Sequence, residues 1–290
     1  MQRLMRYLFL LLLISCNSHN TGSNKMIISV SIPPFRYFVE SISGGDFEVN
    51  VMVPAGTDPH IYEPVPGQIS SLKRSVAYIS DGHLAFEMAW LERFYEANKT
   101  MKRLSLADHI DLIKPAHLHG EGLSEGADPH FWISPKCAAI MALSIKNLLC
   151  ELRPVGKEKY EENYSKLMDT ISEIDRKSVE LLSGFKGRSF LTFHPSLGYF
   201  ARDYSLKQIA VEKEGKEPTP SIMRELIDSV RFKNIKVILV QKEFDTKNAK
   251  AIASETGAIL ETIDPLSGNW PAAMMQIINA LHSSFVISGK

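Results

Sequence analysis

The chain has 290 residues, of which 44% are hydrophobic and 23% charged. That is an ordinary globular composition, with length for two medium domains because single cores seldom grow beyond roughly 250–300 residues. Lys+Arg and Asp+Glu both number 33, so the net charge is zero, and the basic footprint expected of a nucleic-acid binder is missing.

Arg3 and Arg6 precede an apolar run at 7–14, which is too short to span a bilayer that needs about 20 residues. This is the layout of a secretory signal. The run ends in Leu13-Ile14-Ser15-Cys16, which resembles a bacterial lipobox, with Cys16 as the lipidated mature N-terminus; the competing reading is an ordinary signal peptide with a chance cysteine. Residues 1–16 are thus expected to be a signal peptide with lipobox and 17–25, rich in Asn and Ser, a flexible tether. The expected location is outside the cytoplasm, lipid-anchored through Cys16 on the periplasmic or outer cell-surface side, held stably by two or more acyl chains.

Residues 26–31, 49–53 and 76–80 read as short strands, and 35–42 and 84–97 as helices. Such alternation predicts a parallel sheet with helices on both faces. Ser134-Pro135 reads as an N-cap and first helical residue, with Met141, Ile145, Leu148 and Leu152 at helical spacing before Pro154. Cys137 and Cys150, thirteen residues apart on that helix, would lie roughly 20 Å apart, too far for a disulfide, and read as small buried hydrophobes. From 157 to 183 there is no Pro or Gly, and Tyr160, Tyr164, Leu167, Ile171 and Ile174 recur at three- and four-residue steps. The pattern predicts one long amphipathic helix stopped by Gly184; it fades at Ser178, which leaves too few heptads for a coiled coil. Residues 189–193, 237–240 and 258–263 read as further strands, and Thr219-Pro220 opens a helix carrying Ile222, Leu226 and Val230. The predicted fold is therefore α/β: two parallel-sheet lobes, at 26–154 and 185–290, joined by one rigid helix within 155–184.

Asp-Pro-His occurs twice, at Asp58-Pro59-His60 and Asp128-Pro129-His130. His60 follows a strand by a short loop, His194 directly follows the strand at 189–193, and Asp264 directly follows the one at 258–263. Open parallel sheets bind ligands beyond the carboxyl ends of their strands, and the loop bearing His130 can reach the same inter-lobe cleft. Three neutral imidazoles and one carboxylate make a closed four-ligand shell for a divalent first-row ion, with zinc favoured. The prolines beside these ligands restrict the backbone and reduce the entropy lost on ordering the site. Asp58 and Asp128 read as turn formers. Glu63 and Glu212 are candidates to orient an imidazole, since a metal-bound histidine usually donates its second N–H to an oxygen. His83, His109 and His282 have no matching partners and read as surface or core residues.

The segments Asp58-Pro59-His60-Ile61-Tyr62-Glu63-Pro64, Asp128 to Pro135, His194-Pro195-Ser196-Leu197-Gly198-Tyr199-Phe200 and Asp264-Pro265-Leu266 closely resemble the four signature segments of the zinc- and manganese-binding lipoproteins of ABC importers, the ZnuA/TroA-like family. The resemblance covers essentially the whole mature chain. It implies that His60, His130, His194 and Asp264 coordinate Zn2+ (alternatively Mn2+ or Fe2+) between two lobes, and that a monomeric carrier delivers the ion to an ABC importer permease and its ATPase. A histidine at the third position, His194, resembles the zinc type; a glutamate there is typical of manganese specialists. Two departures stand out. The loop before the second Asp-Pro-His is short, with two histidines, His117 and His119, and reads either as a weak captor of metal or as a solvated flexible loop; and Gln241-Lys242 stand where the family often has Glu-Pro.

A metal-dependent hydrolase is the contrasting reading. Catalytic zinc keeps an open position for water, which a four-ligand protein shell lacks, and neither a His-Glu-x-x-His nor a Gly-x-Ser-x-Gly motif occurs. The chain is therefore expected to be a binding protein rather than an enzyme. Nothing in the sequence directly supports a secondary role in cell adhesion.

Overall fold

The computed structural model describes residues 25–114, 126–212, 218–244 and 246–288. The expectations for the signal segment, the tether, Cys16, and the His117/His119 loop lie outside the described residues.

The first half runs β1 (Met26–Val30), α1 (Pro33–Ser43), β2 (Phe47–Val51), α2 (Pro66–Lys73), β3 (Ser75–Ser80), α3 (Ala85–Ala97) and β4 (Lys102–Ser105), followed by α4 (Pro135–Leu152) and α5 (Lys157–Leu182). The second half runs β5 (Ser189–Thr192), α6 (Gly198–Asp203), β6 (Lys207–Ala210), α7 (Pro220–Phe232), β7 (Val237–Gln241), α8 (Lys247–Thr256), β8 (Ile259–Ile263) and α9 (Trp270–Ser288). The strands form two four-stranded sheets, ordered β2-β1-β3-β4 and β6-β5-β7-β8. Every pairing in them is parallel. Both sheets wind the same way, so their strand order reverses between β1 and β3 and between β5 and β7, and the carboxyl ends there are the natural ligand crevices.

The predicted caps are present. Ser134 Oγ accepts the Cys137 N–H at 3.3 Å, with Pro135 as the first residue of α4; Thr219 Oγ1 accepts the Ile222 N–H at 3.4 Å at the start of α7. Cys137 is buried and Cys150 half-buried, both as free thiols. Helix α5 buries Tyr160, Leu167, Ile171, Ile174, Ser178 and Leu182 and packs on α1, α4 and α9. It is therefore embedded rather than a free-standing strut. One hydrophobic core runs from Phe35 and Phe38 of α1 through Met141 and Ile145 of α4 to Ile171 of α5, Phe200 of α6 and Trp270 of α9. A second core, including Leu191, Ile238 and Ile252, covers the other face of the second sheet.

Two buried tryptophans tie the halves together across that shared core. Trp132 Nε1–H donates to Pro265 O at 2.9 Å, and Trp270 Nε1–H donates to Trp132 O at 2.7 Å. Each indole thus buries a large apolar area and satisfies its one donor across the junction. A slow spread of the two sheets would break these bonds and open the core. The fold favours small, local displacements at the cleft over a wide hinge.

Candidate metal centre

Three imidazoles meet where the carboxyl ends of the two sheets face each other. His60, His130 and His194 each offer a nitrogen, and the three atoms lie within 4.8 Å of one another. His194 Nε2 stands at the middle, 3.3 Å from His60 Nε2 and 3.2 Å from His130 Nε2.

Each histidine is held by local chemistry. His60 rides on the loop between β2 and α2, where Asp58 Oδ1 accepts its backbone N–H at 2.8 Å. That loop is pinned by Gln68, whose Oε1 accepts Tyr62 O–H at 2.7 Å and whose Nε2–H reaches Val51 O at 3.0 Å and Met52 O at 2.7 Å. His130 opens a single 3-10 turn, His130–Ile133, on the amino end of α4, with Phe131, Trp132 and Ile133 all buried. Asp128 Oδ1 accepts both its backbone N–H at 2.9 Å and its ring Nδ1–H at 2.7 Å. The second Asp-Pro-His thus does more than form a turn: its aspartate also fixes the ring.

His194 leaves β5 at the strand-order reversal of the second sheet, opposite Gln241 at the end of β7. Gln241 Oε1 accepts the His194 N–H at 3.2 Å, while its Nε2 lies 2.7 Å from His194 O and 2.8 Å from Ser196 Oγ. A neutral amide can accept and donate on the same turn, which a carboxylate at this position could not. Glu212 Oε2 accepts the ring Nδ1–H at 3.1 Å, and the Phe244 ring stacks on the imidazole at 4.6 Å and 15°. Of the two glutamates proposed to orient a ring, Glu212 does so; Glu63 is exposed and bonds to none of the three rings. The roles of Gln241 and Phe244 have no local signature, because they arise only when β5 and β7 become neighbours.

These contacts decide the tautomers. Burial works against ionising Asp128, yet the hydrogen bond and charge of His130 hold its pKa below the ordinary carboxylate range. As an ionised acceptor it must receive the Nδ1 proton, so the Nε2 lone pair of His130 points inward. Glu212 Oε2 accepts the Nδ1–H of His194, which turns the His194 Nε2 lone pair inward as well. Burial also lowers the pKa of His60, further reduced by His194, and that of His194, where Glu212 acts in the opposite direction. Two lone pairs therefore face each other at 3.2 Å. Nitrogens 2.0–2.1 Å from a tetrahedral Zn2+ would be separated by about 3.3 Å, so two edges of such a shell already have the right length.

The fourth residue expected at the site stands apart. Asp264 follows β8 at the same end of the sheet, but its Oδ2 is 2.7 Å from Lys242 Nζ, and among the described residues the close cluster holds only the three histidines. The adjoining small cleft is lined by Pro59, Leu84, Trp132, Pro265 and Leu266 together with the imidazoles, Ser196, Gln241, Glu243 and Phe244. Its walls are mostly apolar, a setting that keeps water out and strengthens charge–dipole interactions inside. His83, His109 and His282 are not members of the cluster; the ring of His282 packs edge-on against Phe185.

The second lobe also shapes Asp128. Tyr199 O–H donates to Asp128 O at 2.6 Å while accepting the Ile113 N–H at 3.1 Å. Gly198 passes so close that a Cβ there would lie 2.7 Å from Asp128 Oδ2. The residue that orients the His130 ring is thus seated in a socket made by α6.

Among known proteins, the family described as ZnuA, zinc-uptake complex component A periplasmic, matches residues 28–284. The zinc-binding lipoprotein AdcA of Streptococcus pneumoniae (strain ATCC BAA-255 / R6) is 26% identical over 267 residues, 88% of this chain and 53% of AdcA. The chain therefore spans about half the length of that relative. The high-affinity zinc uptake system protein ZnuA of Bacillus subtilis (strain 168) is 26% identical over 279 residues, covering 90% of this chain and 86% of the relative. A crystal structure of ZnuA is 36% identical and superposes with a TM-score of 0.83 over 90% of this chain and 99% of that one. FpvC from Pseudomonas aeruginosa in complex with Mn2+, 21% identical, superposes at 0.79 over 91% and 99%, a likeness of fold alone.

Proposed function

The chain belongs to the ZnuA family of periplasmic zinc-uptake components, and from that premise we propose that it is a high-affinity receptor for a divalent metal ion, zinc ahead of manganese or iron. It captures the ion outside the cytoplasmic membrane, where lipidated Cys16 would tether it, and hands it to the permease of an ATP-driven importer. The observation that carries this reading is the inward convergence of the imidazole Nε2 atoms, with the Nδ1–H groups of His130 and His194 each bound to a carboxylate. His60, His130 and His194 would supply three ligands, and a carboxylate of the second lobe, Asp264 by sequence position, would supply the fourth.

No bond in the cargo need be made or broken. The work of the protein is to strip water from the ion and hold it in a cleft whose ligands come from both lobes. Moving the two lobes slightly apart separates His194 from His60 and His130 and dismantles the shell, which gives a permease a simple means of release. A closed shell with no position for water also fits carriage better than hydrolysis.

Metal analysis of the purified protein, followed by competition between zinc and manganese, tests the reading. About one zinc ion per chain is expected, retained against excess manganese, because nitrogen-rich sites favour zinc over manganese. Tighter binding of manganese than of zinc would overturn the metal preference; failure to bind either would overturn the receptor itself.

The seat of Asp128 makes a separate prediction. Gly198→Ala pushes a methyl group toward Asp128 Oδ2 and is expected to weaken zinc binding about 10-fold, at the lower end of the 10–100-fold range for losing a partner that orients a ligand. A chelator competition titration reads the change. Unaltered affinity would mean that Asp128 can shift without turning the His130 ring.

A further inference from the structure

We infer that Glu243 is a carboxylate ligand of the bound ion, sharing or taking the fourth position expected of Asp264; the inference rests on the metal-receptor reading above. Glu243 lies two residues beyond the end of β7 and lines the same cleft as the three imidazoles. Its Oε1 is buried with no hydrogen-bond partner among the described residues. A carboxylate oxygen withdrawn from water and given no donor is costly, and such a group calls for a cation or a donor to face it.

The other polar side chains of the cleft are already committed. Gln241 spends its amide on the His194 turn, and Ser196 Oγ is bound to Gln241. His130 and His194 have their Nδ1 atoms occupied by Asp128 and Glu212. Asp264, the carboxylate marked by sequence, is engaged outside the cluster by Lys242 at 2.7 Å. Among the described residues lining the cleft Glu243 is the one carboxylate; like Asp264 it stands outside the close cluster of imidazole nitrogens, so its side chain would turn inward to reach an ion seated among the three Nε2 atoms. Neighbouring Phe244 stacks on His194, so the segment carrying Glu243 is registered against the central ligand. The division of labour follows: Glu243 neutralises part of the ion's charge, and the Asp264–Lys242 pair stands beside it as a neutral unit.

The test compares Glu243→Gln, Asp264→Asn and His194→Ala with the unaltered protein, using Zn2+ for affinity and Co2+ as a spectroscopic stand-in. Glu243→Gln keeps size and shape but removes the anionic donor. The expected result is a zinc affinity at least 10-fold weaker and a visible Co2+ ligand-field band changed in position or intensity, with apo-protein melting no lower than that of the unaltered chain. A purely structural role for Glu243 would leave the Co2+ band in place. Zinc affinity within two-fold and a superimposable Co2+ band in Glu243→Gln, with both altered in Asp264→Asn, would overturn the assignment and leave the receptor reading intact. Strong zinc binding by His194→Ala would instead undermine the three-histidine site on which the assignment depends.

Discussion

His194→Ala is expected to weaken zinc binding by more than about 100-fold, because removing even a partner that only orients a ligand costs 10–100-fold. His194 is the common neighbour in the cluster: its Nε2 makes both short approaches, 3.3 Å to His60 and 3.2 Å to His130. It is also the one histidine of the cluster that comes from the second lobe, after β5. Its loss leaves two nitrogens from one side of the cleft and uncouples capture from the relation between the lobes. The scaffold should survive, since Gln241 grips the backbone N–H and C=O of residue 194 rather than its ring. A competition titration with a chromophoric chelator, run beside a melting curve of the apo protein, separates these effects. His60→Ala should cost less, because His60 is only half-buried and makes a single short approach. Retention of zinc affinity within 10-fold by folded His194→Ala would sink the three-imidazole site.

Why the histidines were legible in the sequence while their supports were not comes down to the range of the interactions. Asp-Pro-His is a local device: in both copies an aspartate Oδ1 accepts the histidine N–H two residues later, at 2.8 Å and 2.9 Å, which is the short-range bond that makes Asp a turn former. Strand ends are legible too, because apolar runs such as 237–240, all buried, stop abruptly at polar residues, here Gln241. Edge strands carry little of that signal. β4 and β6, the outer strands of their sheets, read Lys-Arg-Leu-Ser and Lys-Gln-Ile-Ala with no fully buried residue, and sequence patterning passes over them. α9 is missed for the opposite reason: ten of its residues are buried, so its apolar positions surround the helix and no single-faced stripe is left to read.

The supports of the site depend on tertiary neighbours. Nothing within a few residues of Gln241 indicates that its amide will clasp a histidine turn 47 residues away. Replacing the family's frequent Glu at this place with Gln looks like a loss of charge when read along the chain. In the fold it is a gain of a donor, and the carboxylate stands two residues on, at Glu243. Glu63 illustrates the converse. Its position beside His60 made it a plausible partner, but the chain direction after Ile61 carries it to the surface. Glu212, eighteen residues from His194, is brought to the ring because β5 and β6 pair in parallel and Glu212 N–H is bonded to Phe193 O at 2.9 Å.

Acid should release the ion, and the sign of each titrating group gives the window. Zinc needs neutral imidazoles, so protons compete with it. An imidazole of ordinary pKa, about 6.5, is roughly 3% neutral at pH 5, a cost of about 30-fold for each such ligand. The pKa values of His60 and His194 are lowered, chiefly by burial, so these two compete with protons later and contribute less than that. Affinity is therefore expected to be flat above about pH 6.5 and to fall between about 10- and 1,000-fold from pH 7.5 to pH 5. Stability of the apo protein is a different balance. A histidine whose folded pKa is lowered binds fewer protons than in the unfolded chain, so its contribution is lost as pH falls through the unfolded value. Asp81 and Glu87 act oppositely: burial raises both, Glu87 to about 7, so they retain protons that the unfolded chain sheds and they disfavour the fold progressively as pH rises from about 4.5 to 7. The two sets offset one another in melting but not in metal binding. A chelator-corrected zinc titration and an apo melting series across this range should therefore diverge, with affinity collapsing while the melting temperature changes modestly. Equal zinc affinity at pH 7.5 and pH 5 would be incompatible with coordination by histidine.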